Sequence, residues 1–597
     1  MATSALPAAA TAPSFADVPA GSTHAVSIAR LGAAEVLQGF ADGTFRPAQN
    51  VTRGQFAAIV ARSMGLTEAT TIDAFDDIAG TTHAGWIQAL FDEGAIRGFT
   101  DGTFRPSAPV TRGQSASMLV ELFDIDPSTA ARPSPDAPWF SDVSGTTHEA
   151  AIDVLADRGV LRGDTSGRFL PSLNLRRDAA ASVLARTIDR TVVDPAFGDQ
   201  GSVADVVRAN NQARGIAVDQ QSHLYSVGHS WTDDTFDDFG NHLIRRTTDG
   251  RIDPDFGDDG IVAIDGPIPA FWEFLRPVPL DDGRVAVVGN AMTISAVAYV
   301  SADGAIDTDR GDAGYAVFEA SDDTEPGFMA FDAATDDEGR LIVVGDRFLM
   351  TEAGGPDASS RLGFVARLAA DGTPDASFGD DGIVTVDTDD GRVQLRSVSI
   401  ADDGSIVVAG RALTDPTPEL LLAALTADGL FDPGFGDNGL ARPVADHDVG
   451  RIGWELAHDA DGGIVVVGNQ GAFGSRDGFV LRTGADGLLD DGFGDGGIHL
   501  LADGFVTSLL VTDTHLWIGG QAGDIGADRG WSVWRLSLTG TPDTSFGLGG
   551  QSVLNFPRRD TGDFIAGNVA GMTTVDGSVV LHGIDADNAL RVVGLAP

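Results

Sequence analysis

The chain has 597 residues, 43% of them hydrophobic, and a formal net charge of −48 at pH 7. This length and apolar content exclude wholesale disorder and allow several domains. The absence of cysteine excludes disulfides and thiolate metal sites, and the acidic charge argues against nucleic acid and anionic membranes as partners. No apolar run approaches the length of a membrane span.

Every basic residue in the chain is arginine. A GC-rich genome would favour arginine, alanine, glycine and aspartate codons, whereas adaptation to high salt would favour an acidic surface without lysine. Composition is compatible with both explanations. At molar salt charges are screened over about 3 Å, which would relieve the self-repulsion of so acidic a chain.

Residues 1–13 are predicted to be the remnant of an export signal or a disordered start. They lack a basic region and a convincing apolar core, but Ala10-Thr-Ala12 is typical of the small residues that end such a signal. The segment alone does not establish export.

Three related modules follow, predicted at residues 14–66, 74–126 and 139–190. Each opens on Phe-x-Asp, continues through a helix to a Gly-x-Phe-x-Pro loop, and enters a second helix; the third loop is decayed. A joint rich in Pro, Ser and Ala at 124–138 separates the last two modules, and a short junction at 188–194 ends the third. The openings are Phe15-Ala-Asp17, Phe75-Asp-Asp77 and Phe140-Ser-Asp142, and the loops are Asp42–Pro47, Asp101–Pro106 and Ser166–Pro171.

The second helix of the first two modules begins with a recognisable cap. Thr52 with Gln55, and Thr111 with Gln114, match the Thr-x-x-Gln capping box. In this motif each side chain satisfies a free amide at the helix entrance. Both positions are therefore predicted to be helix starts.

An arginine follows each capping threonine. Arg53 and Arg112 occupy the first helical position, beside amides at the positive end of the helix dipole. A fork-shaped guanidinium in this place is a good receptor for a carboxylate or phosphate. The alternative is a surface ion pair with Asp42 or Asp101, which would contribute little to stability.

These modules resemble tandem S-layer homology modules, whose pattern is Phe-x-Asp, a Trp-bearing first helix, Asp-Gly-x-Phe-x-Pro and Thr-Arg-Ala-Glu. The resemblance implies a secreted bacterial protein, anchored non-covalently at the cell wall. Its partner would be an anionic secondary cell-wall polymer or peptidoglycan-linked glycan, often pyruvylated. Arg53 and Arg112 match the motif arginine, and Arg177 keeps its register in the third module. Their implied role is to grip the acidic group of the glycan.

Further residues are predicted to line the same groove. Trp86 is the only tryptophan in a first-helix position, and it either stacks on a sugar or packs in the core. The loop residues Arg46 and Arg105, with Asp42 and Asp101, complete the predicted set.

The third module departs from the pattern at three positions. Arg176 replaces the capping threonine, Asp164 replaces the loop phenylalanine, and Leu170 replaces the loop arginine. Its site, at Arg177, is therefore expected to be weakened. We expect this module mainly to complete a pseudo-threefold bundle.

From residue 194 to 597 a second repeat recurs seven times, with Arg310 in place of its phenylalanine in the third copy. Each copy reads Asp, two spacers, Phe-Gly and a further Gly, at spacings of roughly 53 to 68 residues. This period suits a four-stranded sheet repeated around an axis. The copies are Asp194–Gly201, Asp253–Gly260, Asp307–Gly314, Asp375–Gly382, Asp432–Gly439, Asp490–Gly497 and Asp543–Gly550.

One unit shows what the repeat builds. Its apolar runs at 383–386, 393–400, 405–410 and 420–425 have strand length and composition. The third run ends on Gly410, and a glycine holds this place in every copy. Seven such units predict a propeller of seven four-stranded blades, with the recurring Phe wedged between blades. The C-terminal strand is expected to close the ring beside the first unit's strand.

This pattern resembles the delta-60 repeat family. The predicted fold class is therefore multidomain, with an α-helical bundle of three modules followed by an all-β propeller.

One propeller loop carries a candidate metal site. The carboxylates of Asp233, Asp234, Asp237 and Asp238 could hold calcium, which prefers several oxygen ligands. The alternative in so acidic a chain is solvated surface. No other cofactor is predicted, because the sequence shows no Ser-His-Asp motif, metal-binding His cluster or phosphate loop.

Two classes of function compete, together with a third possibility. The leading class is a non-enzymatic surface protein that displays its propeller to a ligand that the sequence does not identify. The rival is a wall-anchored carbohydrate-active enzyme with its site in the propeller channel. An S-layer lattice subunit is the third. Two carboxylates spaced for glycan cleavage beside an aromatic platform at the channel mouth would favour the enzyme, and a featureless or plugged channel would favour binding.

Overall fold

The computed structural model describes residues 15–596 except 20–21, 131–138, 200, 208–209, 233–238, 269–271, 292, 320–326, 350–359, 389–391, 415–416, 445–449, 472–476, 502–503, 523–529, 555, 557–567 and 586–588. The predicted calcium ligands at 233, 234, 237 and 238 lie outside the described residues. Among the described helices, none combines the length and the apolar composition that a bilayer crossing requires.

The N-terminal part is helical, with two α-helices in each module. The predicted capping boxes are present at Thr52 and Thr111, whereas Arg176 supplies no side-chain cap. The last helix runs to Thr191, through part of the segment predicted as a junction. The helices are Ala25–Ala33 (α1), Arg53–Ser63 (α2), Ala84–Asp92 (α3), Arg112–Leu122 (α4), Glu149–Asp157 (α5) and Arg177–Thr191 (α6), with a 3-10 turn at Pro127–Thr129.

The three modules close on one another through the segments before α2, α4 and α6. The amide of Val51 donates to the Leu175 carbonyl, that of Leu175 to Val110, and that of Val110 to Val51, at 2.9, 2.9 and 3.1 Å. All three side chains are buried in one core that draws residues from every module. The modules therefore form the expected pseudo-threefold bundle.

The C-terminal part is a propeller of seven antiparallel four-stranded sheets. The first strand of the chain, Ser202–Asp205 (β1), belongs to the last blade. Blade 1 contains Asn210–Val218 (β2), Leu224–Trp231 (β3), Gly240–Arg246 (β4) and Ile261–Ile264 (β5). Blade 2 contains Glu273–Pro279 (β6), Val285–Ala291 (β7), Ile294–Val300 (β8) and Tyr315–Phe318 (β9). Blade 3 contains Gly327–Thr335 (β10), Leu341–Phe348 (β11), Leu362–Leu368 (β12) and Ile383–Val386 (β13).

The remaining blades follow the same order from the axis outwards. Blade 4 contains Val393–Ile400 (β14), Ile406–Ala412 (β15), Glu419–Leu425 (β16) and Leu440–Ala441 (β17). Blade 5 contains Arg451–His458 (β18), Ile464–Gln470 (β19), Asp477–Thr483 (β20) and Ile498–Leu501 (β21). Blade 6 contains Gly504–Val511 (β22), His515–Ala522 (β23), Gly530–Ser537 (β24) and Gln551–Leu554 (β25). Blade 7 contains Asn568–Val575 (β26), Ser578–Ile584 (β27) and Leu590–Leu595 (β28).

The ring closes as expected, because β1 pairs with the C-terminal strand β28 and becomes the outer strand of blade 7. The first strands of the blades contact one another in sequence and, through β26 and β2, complete the circle. Seven inner strands thus surround a central channel.

The sequence repeat and the blade are offset by one strand. The run at 383–386, predicted to open a unit, is the outer strand of blade 3. Phe378, just before it, is buried among residues of blades 3 and 4, which confirms the predicted wedge. Where Arg310 replaces this phenylalanine, the buried ring of Tyr299 packs against the turn glycine of the next repeat.

Every inner strand contains a β-bulge, seen as a register shift against the second strand. At the bulge, a carbonyl of the inner strand points at a glycine of the second strand. In blade 4, a Cβ on Gly410 would lie 1.8 Å from the Gln394 carbonyl oxygen. The prediction that this glycine ends its strand was wrong, because β15 continues to Ala412. Glycine occurs there because a side chain would collide with the bulge.

The bundle packs against blades 6 and 7 of the propeller. Arg30 pairs with Asp189 at 2.7 Å and donates to the Gln551 carbonyl at 3.0 Å. The Ser552 hydroxyl donates to the Asp189 carbonyl at 2.9 Å, and the Asp194 amide donates to Gly594 at 2.9 Å. These contacts fix the position of the propeller on the bundle.

Candidate functional site

The helix-start arginine of each module contacts the loop of a different module. Arg53 Nε donates to the Phe104 carbonyl of module two at 2.8 Å. Arg112 Nε donates to Phe169 of module three at 2.8 Å, and Arg177 Nε to Phe45 of module one at 2.9 Å. The three contacts run in a circle. We call these places the Arg53, Arg112 and Arg177 sites.

An aspartate from the Phe-x-Asp opening holds each loop in place. Asp17 accepts the amides of Phe45 and Arg46, both at 2.7 Å. Asp77 and Asp142 accept the equivalent amide pairs in modules two and three. These aspartates were not predicted as site residues. Their recurrence at the same position in each module opening is the sequence feature that could have identified them.

Each of the three loops held by these aspartates has one non-glycine residue with a left-handed backbone conformation. This residue is Arg46 (φ 59°), Arg105 (φ 58°) or Leu170 (φ 60°). A non-glycine residue in this conformation is strained. The paired hydrogen bonds from the loop amides to the aspartate hold the backbone in this conformation. They set the direction in which the loop side chain leaves the backbone.

Two of the sites contain a second arginine across a phenylalanine ring. At the Arg53 site, the guanidinium carbons of Arg53 and Arg105 lie 5.0 and 3.9 Å from the Phe99 ring centroid. At the Arg177 site, Arg177 and Arg46 lie 5.0 and 3.8 Å from Phe40. The predicted loop and helix residues therefore do come together, but across a module boundary.

The Arg112 site is the exception. It faces the decayed loop of module three, where Leu170 and Asp164 replace the second arginine and the phenylalanine. Arg112 also donates to the Arg162 carbonyl at 2.8 Å, as Arg177 does to the equivalent Gln38 carbonyl at 3.3 Å. The departures of module three thus act at Arg112, and Arg177 faces the intact loop of module one. The expectation that Arg177 would have the impaired surroundings was wrong, because the modules exchange partners around the ring.

The three helix-start arginines are held away from solvent without a carboxylate partner. Arg53 and Arg177 are only 7% exposed, and burial lowers the pKa of all three guanidinium groups. Within the described part of the chain, no Asp or Glu lies at ion-pair distance from Arg53, Arg112 or Arg177.

The alternative ion pairs, to Asp42 and Asp101, are not formed by these arginines. Asp42 pairs with Arg46 at 2.9 Å, and Asp101 with Arg105 at 2.8 Å. Hydrogen bonds from a neighbouring threonine hydroxyl and then from the paired arginine lower the pKa of both carboxyls to about 2. Both aspartates are thus committed to holding the loop arginines.

The helix-start amides are occupied by protein. The amides of Arg53 and Gly54 donate to the Ala108 and Pro106 carbonyls of module two, both at 2.9 Å, and the next amide bonds to Thr52. The same arrangement recurs at α4 and α6 for the first two amides. These amides are therefore already bonded within the protein, and the guanidinium groups are the available donors.

Cavities of about 160 and 90 Å³ lie at the Arg53 and Arg112 sites. The first is lined by Arg97 and His148, and the second by His24 and Arg162.

Trp86 is half-buried against the bundle core. Its described cation–π contact is with Arg62, whose guanidinium lies 5.3 Å from the ring centroid. The structure therefore places Trp86 beside α2 and not over a helix-start arginine.

The propeller channel contains two carboxylates, Asp332 and Glu455. Both pair with Arg276, at 2.8 and 2.6 Å. Asp332 also accepts from the Ser397 hydroxyl, and Glu455 from the Leu509 amide. Neither carboxylate is free to act as an acid or base in this arrangement. Among the described residues, no group of three His, Cys, Asp or Glu side chains could hold a metal ion.

Together the fold and the sites define a modular protein, with a helical binding region joined to a β-propeller. Comparison with known families identifies the parts. The S-layer homology domain matches residues 14–57, 74–116 and 140–181, and the β-propeller domain of unknown function DUF5122 matches residues 339–378 and 401–435. The chain therefore carries three S-layer homology domains followed by a DUF5122 β-propeller, a composition that places it at the bacterial cell surface.

Individual relatives match about a quarter to a third of the chain. Cell surface glycoprotein 1 of Acetivibrio thermocellus is 29% identical over 163 residues, which are 26% of this chain and 7% of the relative. An endoglucanase of Bacillus sp. is 29% identical over 172 residues, 29% of this chain and 18% of the relative. The S-layer protein EA1 of Bacillus anthracis is 28% identical over 182 residues, which are 30% of this chain and 21% of the relative. The chain thus spans less than a quarter of the length of these relatives.

Among solved structures, virginiamycin B lyase from Staphylococcus aureus is similar with a TM-score of 0.39 at 11% identity. The match covers 66% of this chain and 99% of that protein.

Proposed function

We propose that this protein is anchored non-covalently to an anionic cell-wall glycan through the Arg53, Arg112 and Arg177 sites. The propeller is then displayed outwards for ligand or protein binding. A pyruvylated secondary polymer supplies the carboxylate that such a site would take. Asp42 and Asp101 orient Arg46 and Arg105 towards the same ligand.

The observation that carries the proposal is the group of poorly exposed guanidinium groups without a carboxylate partner. A buried cation is costly unless a counter-charge and hydrogen bonds compensate for its lost hydration. Here the protein supplies a backbone carbonyl and an aromatic face, while the nearby carboxylates of Asp77, Asp142 and Asp17 act from beyond ion-pair distance. An anionic group of the ligand would supply the counter-charge, in a charge-assisted bond of the kind that a guanidinium forms with carboxylates.

The three sites should differ in strength. The Arg53 and Arg177 sites each hold two guanidinium groups against a phenylalanine ring, whereas at the Arg112 site Leu170 and Asp164 replace the loop arginine and that ring, and Arg162 lines the cavity. We therefore assign most of the wall affinity to the first two sites.

The channel geometry favours a binding role for the propeller over glycan cleavage. The channel does contain two carboxylates, and the aromatic side chains of Trp454 and Phe331 line it. However, Arg276 pairs with both Asp332 and Glu455, whereas glycan cleavage needs two carboxyl groups that face the scissile bond.

The test is co-sedimentation of the purified chain with cell-wall sacculi. One batch of sacculi keeps its secondary polymer, and a second batch has been extracted with hydrofluoric acid to remove it. We expect strong adsorption to the first batch and little to the second. Equal adsorption to both would contradict the proposed ligand.

Arg53→Gln gives a second reading in the same assay. Loss of one charge-assisted contact, worth about 1.5–3 kcal/mol, should weaken adsorption about tenfold or more. Arg251→Gln is the matched control, because Arg251 is half-exposed on the propeller and changes the net charge equally. Thermal melting of each variant confirms that the fold is kept.

A further inference from the structure

The propeller channel contains a cavity of about 290 Å³ that the wall-binding sites do not involve. The β-bulges shape it, because each pushes a residue of an inner strand towards the axis. At the bulges, blades 1, 3, 4 and 5 contribute Arg214, Phe331, Arg396 and Trp454, and blades 2, 6 and 7 contribute Leu275, Thr507 and Ala570. Arg276, Asp332 and Glu455 line the cavity beside them. In a domain that otherwise repeats regularly, the axis is where the blades differ most in chemistry.

Trp454 lies inside β18 at the bulge. The register shift turns it towards the channel, and sequence periodicity alone does not show such a shift.

The charges around the cavity are balanced. Arg276 pairs with Asp332 and Glu455 across the channel, and Arg214 pairs with Glu273 at 2.9 Å. This arrangement offers both donors and acceptors without a marked excess of positive charge. It suits a neutral polar ligand better than an anion.

Three donors in the cavity wall, Trp454 Nε1, Arg396 Nη1 and Arg214 Nε, are buried and form no hydrogen bond with any described residue. Arg396 Nη1 forms an ion pair with Asp346 at 3.7 Å, beyond hydrogen-bond distance, and Asp346 already accepts from Arg361 at 2.8 Å. Buried donors are nearly always satisfied in native proteins, so an acceptor oxygen from a ligand or water belongs here.

Aromatic surface accompanies these donors. The Arg396 guanidinium lies 3.7 Å from the Phe331 ring centroid, which holds the arginine flat against the wall. The Trp454 indole, tilted against Phe505 at 6.4 Å, supplies an apolar face beside it. A flat apolar face next to fixed donors and acceptors matches a sugar ring, which has C–H faces and hydroxyl edges.

We propose that the channel cavity binds a neutral sugar unit, with Trp454 against the ring and Arg396 and Trp454 Nε1 donating to its oxygens. The cavity is near the lower limit for small-molecule sites, so one terminal unit of a glycan fits better than an internal stretch. This site is separate from the wall-binding sites, and either proposal can fail without the other.

The experiment uses the full chain on an array of immobilised oligosaccharides. The array carries neutral oligomers of glucose, galactose, mannose and N-acetylglucosamine, together with their uronate-containing counterparts. We expect the wild type to bind at least one neutral class. Trp454→Leu and Arg396→Gln should each weaken that binding about tenfold or more and leave wall adsorption unchanged.

Trp231→Leu is the control, since Trp231 stacks with His229 outside the cavity. Melting curves establish that each variant is folded. The proposal is overturned if no neutral class binds, if only uronate glycans bind, or if the signal survives both cavity substitutions. Loss of the signal in the control alone would also overturn it.

Discussion

At each inter-module site, one guanidinium makes several contacts at once. Arg53 stacks near two phenylalanines, Phe99 and Phe104, and donates to a backbone carbonyl. Arg177 repeats this pattern with Phe40 and Phe45. These contacts fix the orientation of the group before any ligand arrives, which reduces the entropy lost on binding.

The first prediction concerns the incomplete Arg112 site. Leu170 has the same left-handed backbone as Arg46 and Arg105, so Leu170→Arg should add no backbone strain beyond that of Leu170. Combined with Asp164→Phe, it restores the second cation and the ring. In an Arg53→Gln background, we expect this double change to increase adsorption to sacculi several-fold. If adsorption stays at the level of the Arg53→Gln parent, the second arginine does not contribute to binding.

The second prediction concerns the glycine opposite a bulge. Gly410→Ala would place a Cβ 1.8 Å from the Gln394 carbonyl oxygen, so β14 must shift. We expect the free energy of unfolding to fall by about 2 kcal/mol or more, measured by urea denaturation. Gly492→Ala is the control, because its nearest neighbour is the side chain of Asp490 at 3.1 Å. An equal effect of both substitutions would contradict the steric account.

At the scale of elements, local signals were sufficient to predict the helices and strands. The capping boxes at Thr52 and Thr111 and the repeated Phe-Gly turns depend on neighbours in sequence. Partner exchange was not predictable in the same way. Each helix-start arginine and its own module's loop are close in sequence, but the ring of Val51, Val110 and Leu175 brings the arginine to another module.

In the propeller too, the features set by local sequence were predicted and those set by pairing between strands were not. The repeat indicated four strands and seven blades correctly. The sequence unit and the blade are offset by one strand, because the strand that closes one blade opens the next sequence unit. The bulges, and with them the channel position of Trp454, result from pairing between strands and leave no periodic signal.

The third prediction concerns acid sensitivity at the seam between blades 7 and 1. Burial, reinforced by Arg246, lowers the pKa of His582 on β27 to about 3, from 6.5. Below pH 6.5 the unfolded chain therefore binds a proton that the folded chain does not. The free energy of unfolding should fall as the pH drops from 6.5 towards 3, by up to about 1.4 kcal/mol per pH unit from this group.

His582→Asn removes this contribution. We expect the variant to lose less stability than the wild type between pH 7 and pH 5 in urea denaturation, where one histidine contributes roughly 2 kcal/mol. Identical pH profiles for wild type and His582→Asn would show that His582 does not govern the seam.

At the scale of the whole molecule, the net charge of −48 opposes binding to an anionic polymer. Local guanidinium groups must act against this long-range repulsion. Raising the salt from about 0.01 M to about 0.15 M shortens the screening length from about 30 to about 8 Å, which suppresses the repulsion more than the contacts themselves.

The fourth prediction follows from this balance. Adsorption to sacculi should increase over that salt range, and it should increase further with divalent cations in the absence of chelator. Sedimentation across a salt series measures it. A steady decrease from the lowest salt upward would mean that attraction, and not repulsion, dominates at long range.

The most direct test of the account is adsorption of the double variant Arg53→Gln/Arg177→Gln to sacculi that retain their polymer. Because the two sites lie at different module boundaries, we expect roughly additive losses, about a hundredfold in total, and a smaller loss for Arg112→Gln alone. Arg251→Gln/Arg340→Gln, which changes the net charge equally on the propeller, should adsorb like the wild type. Wild-type adsorption by the folded Arg53→Gln/Arg177→Gln variant would contradict the central claim that these buried arginines anchor the protein.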